Sequence, residues 1–498
     1  MTEDKKYIIN PNYCIRGDDN RVLITTKYKY PELERYGAIT FSNNFFSFWH
    51  PYFAAMISFF TGEFILDEQL QKMENYLGIE RETIKQIIKP FFENKEILSK
   101  KEGEAIVFVP ENLIIEYCNN FPVRKQNLEE FVFTDIDLTT ARLNRPLDCT
   151  LMLNTKCVTN CVYCYADRQN INAELPINKI KKLITEAKQI GMNNFDVLGG
   201  ELFLYSEWKE LLKVLIENGY HPYISTKVPV SKRDIAYMKS IGLRYIQISL
   251  DSVNSSILQQ MLNVKDSYYG KIKETIENLN EAGIDIIIHA ILTSLNSKKE
   301  SVINLLDYLS DIEYIIKINL TPVAYTRFKD RKNFEQLCCT DDDIKLVNQT
   351  INNYRQKYNK DYIVGNLEKY EDVQFSNKTT EKFNKRGFCT GNTRYFYILP
   401  DGKVTFCEQM YWSSKFIIGD ITNMSIMEFW NSDFAKNFNK NKQKAMTQDS
   451  KCFDCRDFEK CHFEKGVCWK MIIESYGDKN WDFPDPRCPK APQVLLIS

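Results

Sequence analysis

Histidine is scarce in this chain, with four among 498 residues, at positions 50, 221, 289 and 462, and no two stand at ligand spacing. A metal site built on paired imidazoles is therefore excluded, and no general base is assigned from sequence. An excess of charge of one sign is also missing. Sixty-five Lys and Arg against 66 Asp and Glu leave a formal charge of −1, which predicts no broad attraction to nucleic acid or to an anionic membrane. Partners must then be recognised at specific sites. No apolar run approaches the ~20 residues that cross a bilayer, and residues 1–9 are charged where a secretion signal would be apolar. The expectation is a cytoplasmic protein that binds neither nucleic acid nor membrane.

Cysteine, by contrast, is abundant, at 15 residues. In a long chain with no visible secretion signal, clustered cysteines read as thiolate ligands rather than disulfides. The 44% of hydrophobic residues suffices for several cores, and the length suggests roughly three domains. The sharpest cluster is Cys157, Cys161 and Cys164, in the string Cys-Val-Thr-Asn-Cys-Val-Tyr-Cys directly after an apolar, strand-like run at 149–153. Three thiolates can hold three irons of a 4Fe-4S cluster and leave the fourth open, whereas a structural zinc site is normally closed by four ligands. A zinc knuckle is the alternative.

Between 147 and about 323, strand-like and helix-like segments alternate. The expected strands are 149–153, 194–198, 222–225, 245–250, 284–292 and 315–320, and the helices between them are 177–190, 206–218, 231–241, 269–282 and 298–309. Six βα repeats imply a parallel sheet curling toward a partial barrel, with its site at the C-terminal ends of the strands. The cysteine loop follows the first strand, at that end.

The spacing and context of this loop resemble the radical S-adenosylmethionine (SAM) superfamily, and the likeness extends over the whole alternating region. It implies a TIM-like (β/α)6 partial barrel in which the amino and carboxylate groups of SAM occupy the open iron. Gly199-Gly200-Glu201 follows the second strand, where glycines admit close backbone approach and a carboxylate accepts from the SAM ammonium. By the same resemblance, Ser225, Thr226, Ser249 and Asp251, at the ends of the third and fourth strands, are directed to the SAM carboxylate and ribose, and Tyr163 packs beside adenine. Two departures stand out. Leu202 follows the acidic residue where proline is frequent, and Lys227-Val228 replaces a frequent Asn-Gly.

Seven further cysteines lie in the C-terminal region: Cys389, Cys407, Cys452, Cys455, Cys461, Cys468 and Cys488. With the hairpin string Leu-Pro-Asp-Gly-Lys-Val-Thr-Phe-Cys ending at Cys407, they resemble the SPASM domain, a cysteine-rich extension that carries two auxiliary 4Fe-4S clusters. The resemblance assigns Cys452, Cys455, Cys461 and Cys488 to a distal cluster and Cys389, Cys407 and Cys468 to a proximal one, for three clusters in all. Six residues separate Cys461 from Cys468 where the family pattern has three. The proximal cluster is one protein ligand short, and either Cys338 or Cys339 completes it or an iron stays open.

Residues 17–120 read as a small α/β module. Strands are expected at 21–26 and 37–41, helices at 50–60, 65–77 and 81–95, and a hairpin at 97–109. This is winged-helix architecture, but seven Lys or Arg against twelve Asp or Glu between 49 and 116 oppose phosphate binding. With Thr61-Gly62-Glu63 ahead of a helix pair, the module resembles the leader-peptide-binding recognition element of ribosomal-peptide maturases, where an extended peptide adds to a sheet edge. The expected division is a recognition domain at 1–120, a linker at 121–146 that wraps onto the next domain, the barrel at 147–330, a connecting segment at 331–385 and the SPASM domain at 386–498.

Together these resemblances imply an enzyme that reductively cleaves SAM and modifies a ribosomally made precursor peptide by a thioether or carbon-carbon crosslink, fed by an electron donor such as flavodoxin or ferredoxin. The alternatives are an anaerobic sulfatase maturase that forms formylglycine, a small-molecule radical SAM oxidoreductase, and a metal-binding regulator.

Overall fold

The computed structural model describes residues 2–27, 45–92, 94–119, 121, 123, 127–166, 173–325, 331–358, 363–364, 367 and 380–493. The chain divides into two compact units, Met1–Arg145 and Pro146–Ser498.

In the first unit, β1 (Lys6–Ile9), β2 (Tyr13–Gly17), β3 (Val22–Thr26) and β4 (Phe46–Trp49) precede helix α1 (Pro51–Ser58). They are followed by β5 (Thr61–Ile65), α2 (Leu66–Leu77), α3 (Arg81–Ile88), the hairpin β6 (Leu98–Glu102) and β7 (Ala105–Val109), and β8 (Ile114–Glu116). Two three-stranded antiparallel sheets result, ordered β5-β1-β8 and β2-β3-β4. Helix α1 starts where sequence places it, because the His50 ring accepts from the Tyr52 N–H and Pro51 sits in the first turn. The third helix stops at Ile88 instead of 95. Pro90 cannot continue the ladder, and the chain tightens into a 3-10 turn, Lys89–Phe91. The strand expected at 37–41 lies outside the described residues.

Residues 127–145, read from sequence as part of a linker to the next domain, pack on this first unit. Arg21 is fully buried, ion-paired to Asp18 at 2.9 Å, and donates to the carbonyls of Asp137, Thr140 and Arg142. Asp18 in turn accepts from the Arg145 N–H, and its carbonyl accepts from Asn144. A buried guanidinium needs all its donors met, and this segment supplies the acceptors. Phe131 fills the same core.

In the second unit, β9 (Asp148–Met152), β10 (Asn194–Leu198), β12 (Tyr245–Ser249), β13 (Asp285–Leu292) and β14 (Ile315–Pro322) match five of the six expected strands, and the third, expected at 222–225, forms as the short β11 (Ser225–Thr226). Between them run α4 (Ile177–Gln189), α5 (Trp208–Glu217), α6 (Lys232–Ser240), α7 (Ser255–Leu262), α8 (Tyr268–Glu281) and α9 (Lys299–Ser310). The α4 residues Ile180, Leu183, Ile184 and Ala187 are buried at helical spacing. Ile286, Ile287 and Ile288 of β13 are wholly buried, as suits a parallel strand covered on both faces. After β14 come α10 (Arg331–Leu337), α11 (Asp341–Tyr358) and β15 (Ile363–Val364).

The strands form two ladders, not one. β11-β12-β13-β14-β15 is wholly parallel, while β10 and β9 belong to a second sheet that continues through β16 (Tyr395–Ile398), β17 (Lys403–Thr405) and β18 (Ile417–Asp420). At the junction the Asp196 carboxylate accepts the Tyr223 N–H at 3.1 Å. β16 pairs parallel to β9, with Tyr395 opposite Asp148 and Ile398 opposite Leu151. The cysteine-rich region thus begins as a strand of the barrel's own first sheet.

Candidate active site

The cysteine loop leaves β9 at its C-terminal end. Asn154, completely buried, fastens it to the neighbouring strand end: its amide donates to the Glu201 carbonyl at 3.0 Å, and its side-chain oxygen accepts from the Lys156 N–H at 3.1 Å. The Gly200 N–H donates to the Asn154 carbonyl at 2.8 Å. A Cβ on Gly200 would stand 1.7 Å from the Lys156 carbonyl oxygen, so only glycine lets the two loops touch. This close approach is to the protein's own cysteine loop.

Farther along, Asn160 and Val162 donate their N–H groups to the Leu262 and Met261 carbonyls, each at 2.9 Å. These are the last carbonyls of α7, unpaired within their own helix. Thr159 lies between two of the sulfurs, with its Oγ1 3.4 Å from Cys157 Sγ and 3.3 Å from Cys161 Sγ. Cys157 is exposed, Cys164 intermediate and Cys161 buried. Burial pushes the Cys161 thiol up, and the Lys227 ammonium opposes that shift.

Two buried carboxylates organise the remaining strand ends. Glu201 accepts from the Thr226 hydroxyl at 2.9 Å and from the Phe203 N–H at 3.3 Å. Burial raises its pKa, and these bonds hold it back. Asp251 is 1% exposed, accepts from the Tyr163 hydroxyl and from the Ile291 N–H at 2.8 Å, and pairs with Lys227 Nζ at 3.4 Å. Asn296 donates to the Asp251 carbonyl at 2.7 Å. Of the residues singled out from sequence, Tyr163 and Asp251 meet directly, as do Glu201 and Thr226. Ser249 is buried against Gln247 at 2.9 Å, and Ser225 is exposed.

Sequence reading missed several members of this site. Lys227, in sequence only a departure from pattern, directs its ammonium to Asp251, the Tyr163 ring at 5.6 Å and Cys161. Tyr268 donates to the Lys227 carbonyl at 2.8 Å. His289 faces Lys227 and Asp251, and its pKa is lowered by burial and then by Lys227. Asn154, a polar residue ending an apolar strand immediately before the cysteines, was the one available signal.

The C-terminal thiols sort into two electrostatic groups. Cys452, Cys455, Cys461 and Cys488 act on one another, and Cys389, Cys407 and Cys468 form the second set. Burial pushes the Cys407, Cys452 and Cys461 thiols up to about 12. Thiols this reluctant to ionise become thiolates when a metal displaces the proton. The longer interval between Cys461 and Cys468 is taken up by a π-helical turn, Lys460–Lys465, after which the Cys389 N–H donates to the Lys465 carbonyl at 2.9 Å. Cys339 lies instead among Ser297, Asp343 and Lys298. Glu408, beside Cys407, is a carboxyl raised by burial and bonded to Tyr397 and Gln409.

Among the described residues no three His, Cys, Asp or Glu side chains close around one point as a single ion requires. A cubane takes one thiolate on each iron and asks for wider spacing, and the donor sets here are thiolate throughout, which fits iron-sulfur chemistry. No described helix is long and apolar enough to cross a membrane.

Residues 152–309 match the Radical SAM superfamily and residues 389–456 match an iron-sulfur cluster-binding domain, SPASM. A PqqA peptide cyclase of Rhodopseudomonas palustris is 23% identical over 355 residues, spanning 70% of this chain and 88% of that one. Two solved structures of Streptococcus suis SuiB share the fold. The form bound to S-adenosylmethionine has a TM-score of 0.61 at 14% identity, and the form bound to precursor peptide SuiA 0.58 at 16%, each covering 97% of this chain and all of the other.

Proposed function

We propose that this radical SAM chain modifies a ribosomally made precursor peptide, with the leader held by the first unit and a thioether or carbon-carbon crosslink made in the core. The observation that carries the reading is the junction at the strand ends, where Asn154, Glu201, Thr226, Asp251 and Lys227 converge on the loop of Cys157, Cys161 and Cys164. The peptide substrate is supported by the relatives: one is named for cyclising a peptide, and SuiB holds its precursor peptide.

Cys157, Cys161 and Cys164 are the residues that would hold the first 4Fe-4S cluster, at which SAM would bind. When bound, cluster and SAM supply a 5′-deoxyadenosyl radical that abstracts hydrogen from an unactivated carbon. Gly199, Gly200 and Glu201 would serve the methionine end of SAM, Tyr163 its adenine, and Ser225, Thr226, Ser249 and Asp251 its carboxylate and ribose. Buried Glu201 and Asp251 keep these elements in place. Cys389, Cys407 and Cys468 hold the proximal auxiliary cluster, and Cys452, Cys455, Cys461 and Cys488 the distal one.

The test is mass spectrometry of short peptides encoded beside the gene, after anaerobic incubation with reconstituted enzyme, SAM and reductant. Loss of two hydrogens from one peptide, matched by 5′-deoxyadenosine, is expected. Deleting residues 1–145 is expected to weaken leader binding while uncoupled SAM cleavage persists. Unchanged peptide with continuing 5′-deoxyadenosine formation overturns the peptide reading and leaves the radical SAM assignment.

A further inference from the structure

The two C-terminal thiol groups differ in the donors aimed at their sulfurs. In the group assigned to the distal cluster, Arg386 Nη2 donates to Cys461 Sγ at 3.3 Å and Lys490 Nζ donates to Cys455 Sγ at 3.2 Å. Arg386 is 7% exposed, and its guanidinium is pinned by the carbonyls of Phe383, Cys461 and Gly466. It cannot swing away. In the proximal group the sulfurs of Cys389, Cys407 and Cys468 are met by the neutral backbone N–H groups of Gly391, Gln409 and Met471. The charges beside that group offset one another: Arg487 is tied to Asp485 at 2.8 Å, and the Glu408 carboxyl borders Cys407; Asp485 also faces Cys461 and Cys488, where it opposes part of the charge of the two cationic donors.

Reduction adds negative charge to a cluster. Cationic N–H groups on its thiolates stabilise that added charge and raise the potential, more strongly than neutral amides do. We infer that Arg386 and Lys490 are tuning residues that make the distal cluster the stronger electron acceptor of the auxiliary pair. One electron then leaves the reduced proximal cluster and enters the oxidised distal one, and no proton moves. Arg386 carries the larger share, because Lys490 stands half-exposed on the wall of a surface depression of about 550 Å³, where water screens its charge. Asp457, 3.3 Å from Lys490, offsets part of the same charge.

The inference rests on the two-cluster reading above. Its test is a redox titration followed by electron paramagnetic resonance on the full chain, in a Cys157→Ala, Cys161→Ala, Cys164→Ala background so that only auxiliary signals remain. Arg386→Met is expected to weaken reduction of the distal cluster at least tenfold, a fall of about 59 mV for a one-electron couple. Lys490→Met is expected to weaken it about twofold to threefold, and Lys490→Glu by more than Lys490→Met, with the proximal midpoint unmoved. Unchanged distal midpoints in these variants overturn the inference. If Arg386→Met fails to load its cluster, the two Lys490 variants decide. A background protein showing no auxiliary signal overturns the two-cluster reading itself, an outcome distinct from clusters that load but do not shift.

Discussion

The cysteine loop of the barrel and the cysteine groups of the C-terminal region reach thiolate chemistry by opposite routes. Cys157, Cys161 and Cys164 lie within eight residues, on a loop whose backbone is held by Asn154 on one side and by the end of α7 on the other. The shape of that loop belongs to the protein. The seven later cysteines are spread over 100 residues, from 389 to 488, and are placed by several separate devices: the end of β17 before Cys407, a π-helical segment around Cys461, a helix N-cap at Cys468 and the charged donors Arg386 and Lys490. On the assignment proposed above, the metal supplies part of the ordering there, because binding to a site that exists only in the folded chain adds directly to folding free energy. A site that opens one iron to a cofactor needs preorganisation, whereas the four-cysteine set of Cys452, Cys455, Cys461 and Cys488 tolerates assembly around its proposed cluster.

The contrast can be broken in steps. Changing Cys157, Cys161 and Cys164 together to Ala is expected to abolish 5′-deoxyadenosine formation while both auxiliary clusters still load, as read by iron content and chromatography. Gly200→Ala drives a Cβ into the Lys156 carbonyl and is expected to displace the loop at a cost of about 3 kcal/mol; the readout is loss of the first cluster's spectrum with the auxiliary signals intact. Asp251→Asn frees Tyr163 and Lys227 and is expected to slow SAM cleavage ~10- to 100-fold, as losses of supporting partners around metal ligands do. Cys452→Ala is expected to spare part of the SAM cleavage and remove crosslinked product, and full product yield would show that the distal group is dispensable. The smallest effect is a proton count. With the Cys407, Cys452 and Cys461 thiols pushed up to about 12, stripping the clusters at pH 8 is expected to take protons from solution, and a pH-stat would measure it.

Local pattern carried much of this molecule. The apolar periodicity of α4 and the β-branched run of β13 sit where the residues predict, and the cysteine spacing marks the correct strand end. What stayed hidden depends on partners distant in sequence. Helix α7, absent from the sequence reading, closes the cysteine loop with carbonyls about 100 residues away. Arg21 gives no local sign that it collects three carbonyls from 137–142 and so ties that stretch to the first unit. The parallel pairing of β16 with β9 joins segments about 245 residues apart, which no window of hydrophobic periodicity can register. Lys227 departs from a familiar string, and the partner of its ammonium, Asp251, lies 24 residues farther along the chain.

That pairing of β16 with β9 makes the sheet a ruler. One strand ends in the loop of Cys157 and the other turns through Gly402 toward Cys407, and four residue pairs in register lock the two together. Electron transfer rates fall steeply with distance, so two redox loops on independent supports would exchange electrons at a rate that wandered with every fluctuation of the chain. Here β9, β16 and β17 lie side by side in one ladder. Because β17 runs antiparallel to β16, it brings the chain to Cys407 back along the sheet from the end where β9 releases the loop of Cys157, so the ladder itself sets the interval between the two loops.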